Sequence, residues 1–390
     1  MPAKTVLHSA KIVDTIEHAP EVGVDAPGVR VDPSAIVERK RRIVREFAKD
    51  RIDEIKQFPL FRGESRFVDE GTLDVNGTAI SAERFVISTG SIIEKPPDGT
   101  FGDRPIITTD DALEMTDLPA AITVFGGGPV GCEFAQYFAR LGVSVTLLQD
   151  ADELLRNEDA DVGRAVREGL ARDGVSIELG VALTEASSKG SGPVLMASGR
   201  RPNVRDFSFE NAGVTYFRDG IQVDRTLRTS NPRIYAAGDV IGHRMLVHVA
   251  VHCGRIAAEN AFAQAPVEVN FDLYEAHGVY SQPEVAVAGL TEREAQRRGL
   301  RYHAATHDFS DHGRAITENE LQGFVKLLAD ESGSILGVTI VGESAGELLQ
   351  NALTLLYFRA NVRDIARIPH LHPTLAEILT FPAQELSSRG

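Results

Sequence analysis

Ile122-Thr123-Val124-Phe125-Gly126-Gly127-Gly128-Pro129-Val130-Gly131 joins an apolar run to a glycine-rich turn. The pattern predicts a helix over residues 129–141 and a second strand over 144–148. The turn matches G-x-G-x-x-G, which is weak alone but informative where it follows a buried strand and opens a helix. Gly126 permits the tight turn, Gly128 leaves room for a pyrophosphate, and Gly131 lets the helix pack on the strand. The helix N-terminus adds free N–H groups and a partial positive charge for the phosphates. The bland alternative is a structural glycine turn with no ligand.

Working outward, a helix is predicted over 161–173 and a further strand over 175–179. Strand and helix in alternation imply a parallel sheet covered by helices, an α/β architecture. The residue ending the second strand normally reads a nucleotide's ribose, and here it is Gln149, followed by Asp150, with Arg156 further on. Asp150 would repel a 2′-phosphate, which favours NAD over NADP.

Upstream, residues 2–19 and about 32–58 read as amphipathic helices. In the second, Ile36, Val37, Ile43, Val44, Phe47 and Ile55 form the apolar stripe. The basic run Arg39-Lys40-Arg41-Arg42 on that helix is read as a solvated face. Short strands follow at 65–68, 72–75, 79–80 and 84–88, with Asn76-Gly77 as a tight hairpin turn. The C-terminal third carries strands near Val285, at 324–328 and at 335–341. Its helices are placed at 345–360 and 375–386, as in a separate α+β domain.

Composition narrows the function classes. A net charge of −15 argues against broad nucleic-acid binding. No apolar run is long enough to cross a bilayer. The two cysteines, Cys132 and Cys253, cannot form a disulfide framework, as expected of a cytoplasmic protein.

Three phrases fall where strands should end: 86–91, with Thr89-Gly90-Ser91; 194–203, with Gly199; and 234–240, with Gly238-Asp239. Asp239 is placed to grip a sugar-alcohol hydroxyl, although either the first or the last phrase alone is more often a turn than a site. Near the end, His372 stands five residues before Glu377, with Pro373 between them. A carboxylate that holds an imidazole makes a general base. A structural histidine, or a metal site using His370, His372 and Glu377, remains open on these residues alone.

In their order these phrases resemble the pyridine nucleotide–disulfide oxidoreductases, the dihydrolipoamide dehydrogenase and mercuric-reductase-like branch especially, over nearly the whole chain. The resemblance implies an incomplete three-layer FAD-binding domain (1–118 and 204–265). It further implies a Rossmann-like NAD(P)-binding domain (119–203) and an α+β dimerisation domain (266–390). The cofactors implied are FAD and NAD or NADP, the substrate a small disulfide or dithiol, and the assembly a homodimer. Thr89, Gly90, Ser91 and Asp239 would touch FAD, Met245 and His248 would flank the flavin, and Gly199 would lie near the nicotinamide. His372 and Glu377 match the family's base and its orienting carboxylate, with no metal. Pro2-Ala3-Lys4 resembles the end of the segment C-x-x-x-x-C-x-P-[SA]-K, which would set Lys4 against flavin N5, paired with Glu133. A cation there sits where reduced flavin develops negative charge.

Three departures carry expectations of their own. The family's first strand, its FAD glycine turn and its redox cysteines would lie ahead of Met1, as if Met1 were an internal codon of a longer gene. These 390 residues alone are therefore expected to hold FAD poorly and to be inactive. Residues 180–193 look about a dozen short, as though a hairpin were lost. The C-terminus lacks the paired cysteines of mercuric reductases. The alternative to an enzyme is a non-catalytic, dimeric, nucleotide-binding remnant.

Overall fold

The computed structural model describes residues 1–97, 99–271 and 276–389. They fall into two compact units. The first contains 1–46, 95–198 and 276–389; the second contains 47–94 and 199–271.

The first unit begins with α1 (Pro2–His18) and most of α2 (Pro33–Lys56). It continues with β1 (Ile106–Ile107), β2 (Ala121–Phe125), α3 (Pro129–Arg140), β3 (Ser144–Leu148), α4 (Ala160–Arg172), β4 (Ser176–Glu178) and β5 (Val194–Met196). The five strands form one parallel sheet in the order β1-β5-β2-β3-β4. Ile122, Val124, Leu147 and Leu195 are fully buried, as strands covered on both faces require. Val6 and Ala10 of α1 join Phe134, Tyr137 and Phe138 of α3 in the same core. The expected α/β region is thus present to within a residue or two at each boundary.

The stretch 180–193 leads from β4 to β5 without breaking this sheet. Arg104 binds it closed, donating to Lys189 O at 2.7 Å, Gly192 O at 2.8 Å and Ser191 O at 3.1 Å. Thr123 Oγ1 accepts from the same guanidinium. One arginine therefore satisfies three backbone carbonyls of this turn.

The C-terminal part is a five-stranded antiparallel sheet. Its strands are β6 (His277–Val279), β7 (Glu284–Gly289), β8 (His303–Asp308), β9 (Phe324–Ala329) and β10 (Ile335–Gly342), in the order β6-β7-β10-β9-β8. Helices α5 (Ala345–Tyr357) and α6 (Thr380–Ser388) pack against it. Strands β6 and β8 and the helix Val362–Arg367 were not foreseen. The two strands carry five polar residues among nine, and periodicity does not register an edge of that kind.

The second unit holds a three-stranded meander, Ser65–Asp69, Thr72–Val75 and Thr78–Ser81. Asn76 and Gly77 take φ of +48° and +85°, the positive angles that a two-residue hairpin turn needs. Phe85–Ile87 pairs in parallel with Ile234–Ala236, and Ser91–Ile93 pairs antiparallel with Arg200–Pro202. Helix Val247–Asn260 follows.

The stripe expected on α2 needs correction. Val37 is buried, but Phe47 and Ile55 are 52% and 51% exposed. Lys40, assigned to a solvated face, is buried instead, and its Nζ reaches Leu113 O at 2.7 Å and the Glu114 carboxylate. Hydrophobic period identifies a face, whereas only a partner element decides which face is covered.

Candidate functional site

The glycine turn between β2 and α3 is constrained at two positions and open at one. A Cβ on Gly126, whose φ is +111°, would lie 2.7 Å from the Ala197 backbone. A Cβ on Gly131 would lie 1.7 Å from Gly126 O, so helix and strand touch there. Gly128, the N-cap of α3, faces open space, and a Cβ added to it would meet no atom within 4 Å. That open space at a helix N-terminus fits a pyrophosphate.

Gln149, expected at the ribose edge, is buried. Its Oε1 accepts the Gly127 N–H at 2.9 Å, and Leu155 N–H donates to Gly127 O at 2.8 Å. The amide therefore braces the turn. The exposed groups at this edge are Asp150 and Arg156, paired at 3.1 Å. Arg156 offsets the charge that was expected to turn a 2′-phosphate away.

Lys4 and Glu133 meet as the resemblance implied. Lys4 Nζ lies 2.6 Å from Glu133 Oε1, which also accepts the Tyr280 N–H at 2.9 Å. The Tyr280 ring centroid is 4.2 Å from the ammonium, a cation–π contact. Glu133 is buried and Lys4 is half exposed, so the carboxylate is the fixed member of the pair. Pro2 in the first turn of α1 and Glu133 in the first turns of α3 set the two side chains. A cavity of about 170 Å³ opens beside them, lined by Lys4, His8, Gln136, Tyr137, Tyr280 and Glu284.

His372 Nδ1 is 3.1 Å from both oxygens of Glu377. Glu377 Oε1 also accepts the Thr374 N–H at 3.3 Å, and the His372–Pro373 peptide is cis. Burial disfavours ionised Glu377, but the His372 and Thr374 hydrogen bonds outweigh it and hold its pKa below the ordinary carboxylate value. A carboxylate only accepts, so His372 Nδ1 carries the hydrogen and Nε2 presents its lone pair. The imidazole is largely exposed. Among the described residues no three histidine, cysteine or acidic side chains converge as metal ligands, and His370 Nε2 instead approaches Ile365 O at 3.4 Å.

In the second unit, Asp239 Oδ2 accepts from Ser91 Oγ at 2.7 Å, and Arg200 holds Ser91 through Oγ at 2.8 Å and O at 2.9 Å. Thr89 Oγ1 donates to Asn203 O at 2.7 Å, and Gly90 O accepts the Asn203 N–H at 2.9 Å. Gly90, Gly199 and Gly238 all have positive φ. Met245 precedes the helix Val247–Asn260, and His248 is exposed on its first turn. Thr89, Ser91 and Asp239 therefore meet at one edge of this unit. Arg200 and Asn203, to which sequence reading gave no role, tie them together from within the phrase 194–203. Tyr280 had no local signal, because its ring matters only through Lys4.

Residues 1–254 match the family described as pyridine nucleotide-disulphide oxidoreductase, and 276–382 match its dimerisation domain. The chain is 32% identical to a dihydrolipoyl dehydrogenase of Bacillus subtilis, over 97% of this chain and 88% of that one. It is 31% identical to a mercuric reductase of Lysinibacillus sphaericus, over 98% and 74%. Among solved structures, the HOCl-induced flavoprotein disulfide reductase RclA of Escherichia coli superposes with a TM-score of 0.85 at 23% identity, over 98% and 89%. LpdA of Mycobacterium tuberculosis superposes with a TM-score of 0.87 at 24% identity, over 99% and 89%.

Proposed function

This chain belongs to the pyridine nucleotide–disulphide oxidoreductase family, and we propose that it serves as an FAD-dependent NAD(P)H oxidoreductase on a small disulfide or dithiol, in the manner of a dihydrolipoamide dehydrogenase. Bound together, a nicotinamide nucleotide and FAD would carry one electron pair between nucleotide and disulfide, as a hydride at the nicotinamide, with the second proton of the dithiol exchanged with solvent. The observation that carries the reading is the turn at 126–131, pinned at Gly126 and Gly131 and open at Gly128.

The chain's own groups have separable tasks. The N-terminus of α3 holds the pyrophosphate, and Gln149 keeps its turn in shape. Asp239, oriented by Ser91, offers a carboxylate to a sugar-alcohol hydroxyl of FAD. Lys4, fixed by Glu133, places positive charge where the reduced ring gains negative charge. His372 takes a proton from the substrate thiol at Nε2, and Glu377 stabilises the imidazolium that forms.

Residues 1–118 and 204–265 would serve FAD, 119–203 the nicotinamide nucleotide, and 266–390 subunit pairing, in a homodimer. No described helix is long and apolar enough to cross a membrane. The two free, buried cysteines are consistent with a cytoplasmic setting.

One observation favours a second reading for these residues taken alone. Cys132 and Cys253 are both buried, and burial pushes both thiols above their ordinary pKa, so neither suits redox exchange. The chain would then bind nucleotide and dimerise without turnover. Calorimetry with NADH, followed by lipoamide reduction in the presence of added FAD, separates the two readings. Binding with turnover supports the enzyme, binding without turnover supports the second reading, and no binding removes both.

A further inference from the structure

His312 is a buried histidine that the proposed chemistry does not use. It precedes the short helix Gly313–Glu318, is 1% exposed, and sits against the Phe381 ring, centroids 5.9 Å apart and nearly perpendicular. Phe381 is flanked on another side by His307, stacked at 4.0 Å. The backbone of His312 is fixed as well. Its N–H donates to Phe309 O at 3.1 Å, and its carbonyl accepts the Ile316 N–H at 3.0 Å.

The side chain of His312 has a single hydrogen-bond partner: Nε2 lies 2.9 Å from Thr374 O, while Nδ1 is buried without one. A carbonyl only accepts, so Nε2 carries the hydrogen. Thr374 is the residue whose N–H donates to Glu377 Oε1, and Glu377 in turn holds His372 Nδ1. Both polar backbone groups of Thr374 are therefore engaged, one by the dyad and one by a side chain locked in the core.

We propose that His312 is a positioning residue for the His372–Glu377 dyad, acting through the Thr374 backbone to hold Glu377 where it selects the Nδ1–H form of His372. This rests on the reading of His372 as a base oriented by Glu377. The segment 371–374 is mostly exposed and has little packing of its own. Removing the His312 donor leaves Thr374 O without its partner and frees the segment to shift, which lengthens the contact between Glu377 and His372. Thr374 is part-buried, so its carbonyl loses a hydrogen bond that water can replace only by a shift of the segment. Glutamine places an amide N–H close to the position of histidine Nε2, so His312→Gln keeps the donor, whereas His312→Leu keeps bulk without it.

The test uses the 390-residue protein labelled with ¹⁵N in histidine, because ring nitrogen shifts report which nitrogen carries hydrogen. In the wild type, His372 is expected as the Nδ1–H tautomer and His312 as the Nε2–H tautomer. In His312→Leu, His372 moves to a mixture dominated by the Nε2–H form that free imidazole prefers, and in His312→Gln it stays Nδ1–H. A loss of stability alone would not change the tautomer of an exposed ring. If His372 stays Nδ1–H in His312→Leu, the positioning role is overturned and the dyad stands. If wild-type His372 is not Nδ1–H, the dyad reading fails and the inference with it. If His312→Leu does not fold, wild-type His312 as the Nδ1–H tautomer, or loss of the His372 signature in His312→Gln, overturns the proposal.

Discussion

Lys4 Nζ and Glu133 Oε1 stand 2.6 Å apart, although 129 residues separate them in the chain. The carboxylate is buried between the ammonium and the Tyr280 N–H, and the Tyr280 ring covers the cation. Glu133→Ala removes the acceptor for both donors while leaving them in place. Only the carboxylate is buried, and both donors are partly exposed, so each lost hydrogen bond should cost about 1–2 kcal/mol. The unfolding free energy from chemical denaturation should fall by the sum of the two. Tyr280→Leu, which keeps the backbone bond and loses only the ring, should cost less, about 1 kcal/mol at most. Equal losses in the two variants would place the stabilisation in the packing of Tyr280, not in the ion pair.

The glycine turn makes a sharper contrast. Gly128→Val adds bulk in open space, so the protein should fold with a normal circular dichroism spectrum yet fail to bind NADH by calorimetry. Gly131→Ala puts a methyl 1.7 Å from Gly126 O and must move the helix off the strand. It should lower the melting temperature before any ligand is added. A folded Gly128→Val protein that still binds NADH would move the nucleotide elsewhere.

These two sites differ in how far the sequence announces them. The roles of Gly126, Gly128 and Gly131 follow from steric rules at fixed spacing, so a local string conveys them, and Asn76-Gly77 is legible for the same reason. Lys4 and Glu133 were located through the order of family motifs, whereas His372 and Glu377 showed locally, as a histidine five residues before a carboxylate, and the resemblance chose among their readings. Lys40 and Gln149 were misplaced because each turns inward to a partner that is remote in sequence, Leu113 O and the Gly127 N–H. His312 carries no local signal at all. Its meaning lies in a carbonyl 62 residues away, a contact that neither period nor composition encodes.

Glu377 links the dyad to pH. Its folded-state pKa lies below the ordinary value of 4.5, because hydrogen bonds to His372 and Thr374 outweigh its burial. A depressed carboxylate pKa gives stability that is fully present above the unfolded value and lost as pH falls through the folded one. Glu377→Gln should therefore be less stable than the wild type at neutral pH. The two denaturation curves should converge as pH drops below 4.5. A constant gap down to the acid transition would mean that ionised Glu377 contributes nothing there. In the protein supplied with FAD and a redox-active disulfide, His372→Ala should slow thiol exchange about a hundredfold while NADH binding stays unchanged.

Lys326 is buried on β9, within 3.0 Å of Asp159 Oδ2, 2.7 Å of Asp161 Oδ2 and 2.9 Å of Glu292 Oε1. Burial works against its charge, yet the hydrogen bonds it donates to the three carboxylates raise its pKa well above the ordinary lysine value. A raised lysine pKa gives stability that is complete below the unfolded value and fades only as pH rises through the folded one. At neutral pH the full effect is measurable. Lys326→Met strands the carboxylates and should cost about 3–5 kcal/mol in urea unfolding. A neutral result would mean that Asp159 and its neighbours gain protons or water without penalty.

The last prediction concerns the surface that pairs subunits. The leucines of α5 are not free to supply it: Leu348 and Leu349 are buried in the domain's own core, with Leu353, Leu355 and Leu356 packed against it. Among the most exposed apolar groups of the C-terminal part are Tyr357 and Phe358 at the end of α5 and Leu371 beside His372, the last two 74% and 78% exposed. Single exposed apolar side chains are ordinary, but a contiguous group of them marks an interaction surface, and the dimerisation domain makes these three the ones to test. Phe358→Asp and Leu371→Asp should therefore convert a dimer to a monomer by sedimentation velocity. Because both side chains are exposed within the subunit, the secondary structure of the monomer should be unchanged and its unfolding free energy should shift by about 0.5 kcal/mol at most. If base and redox disulfide belong to different subunits, the monomer should also lose disulfide turnover while still binding NADH. A dimer that survives both substitutions would place the interface on another face and detach His372 from it.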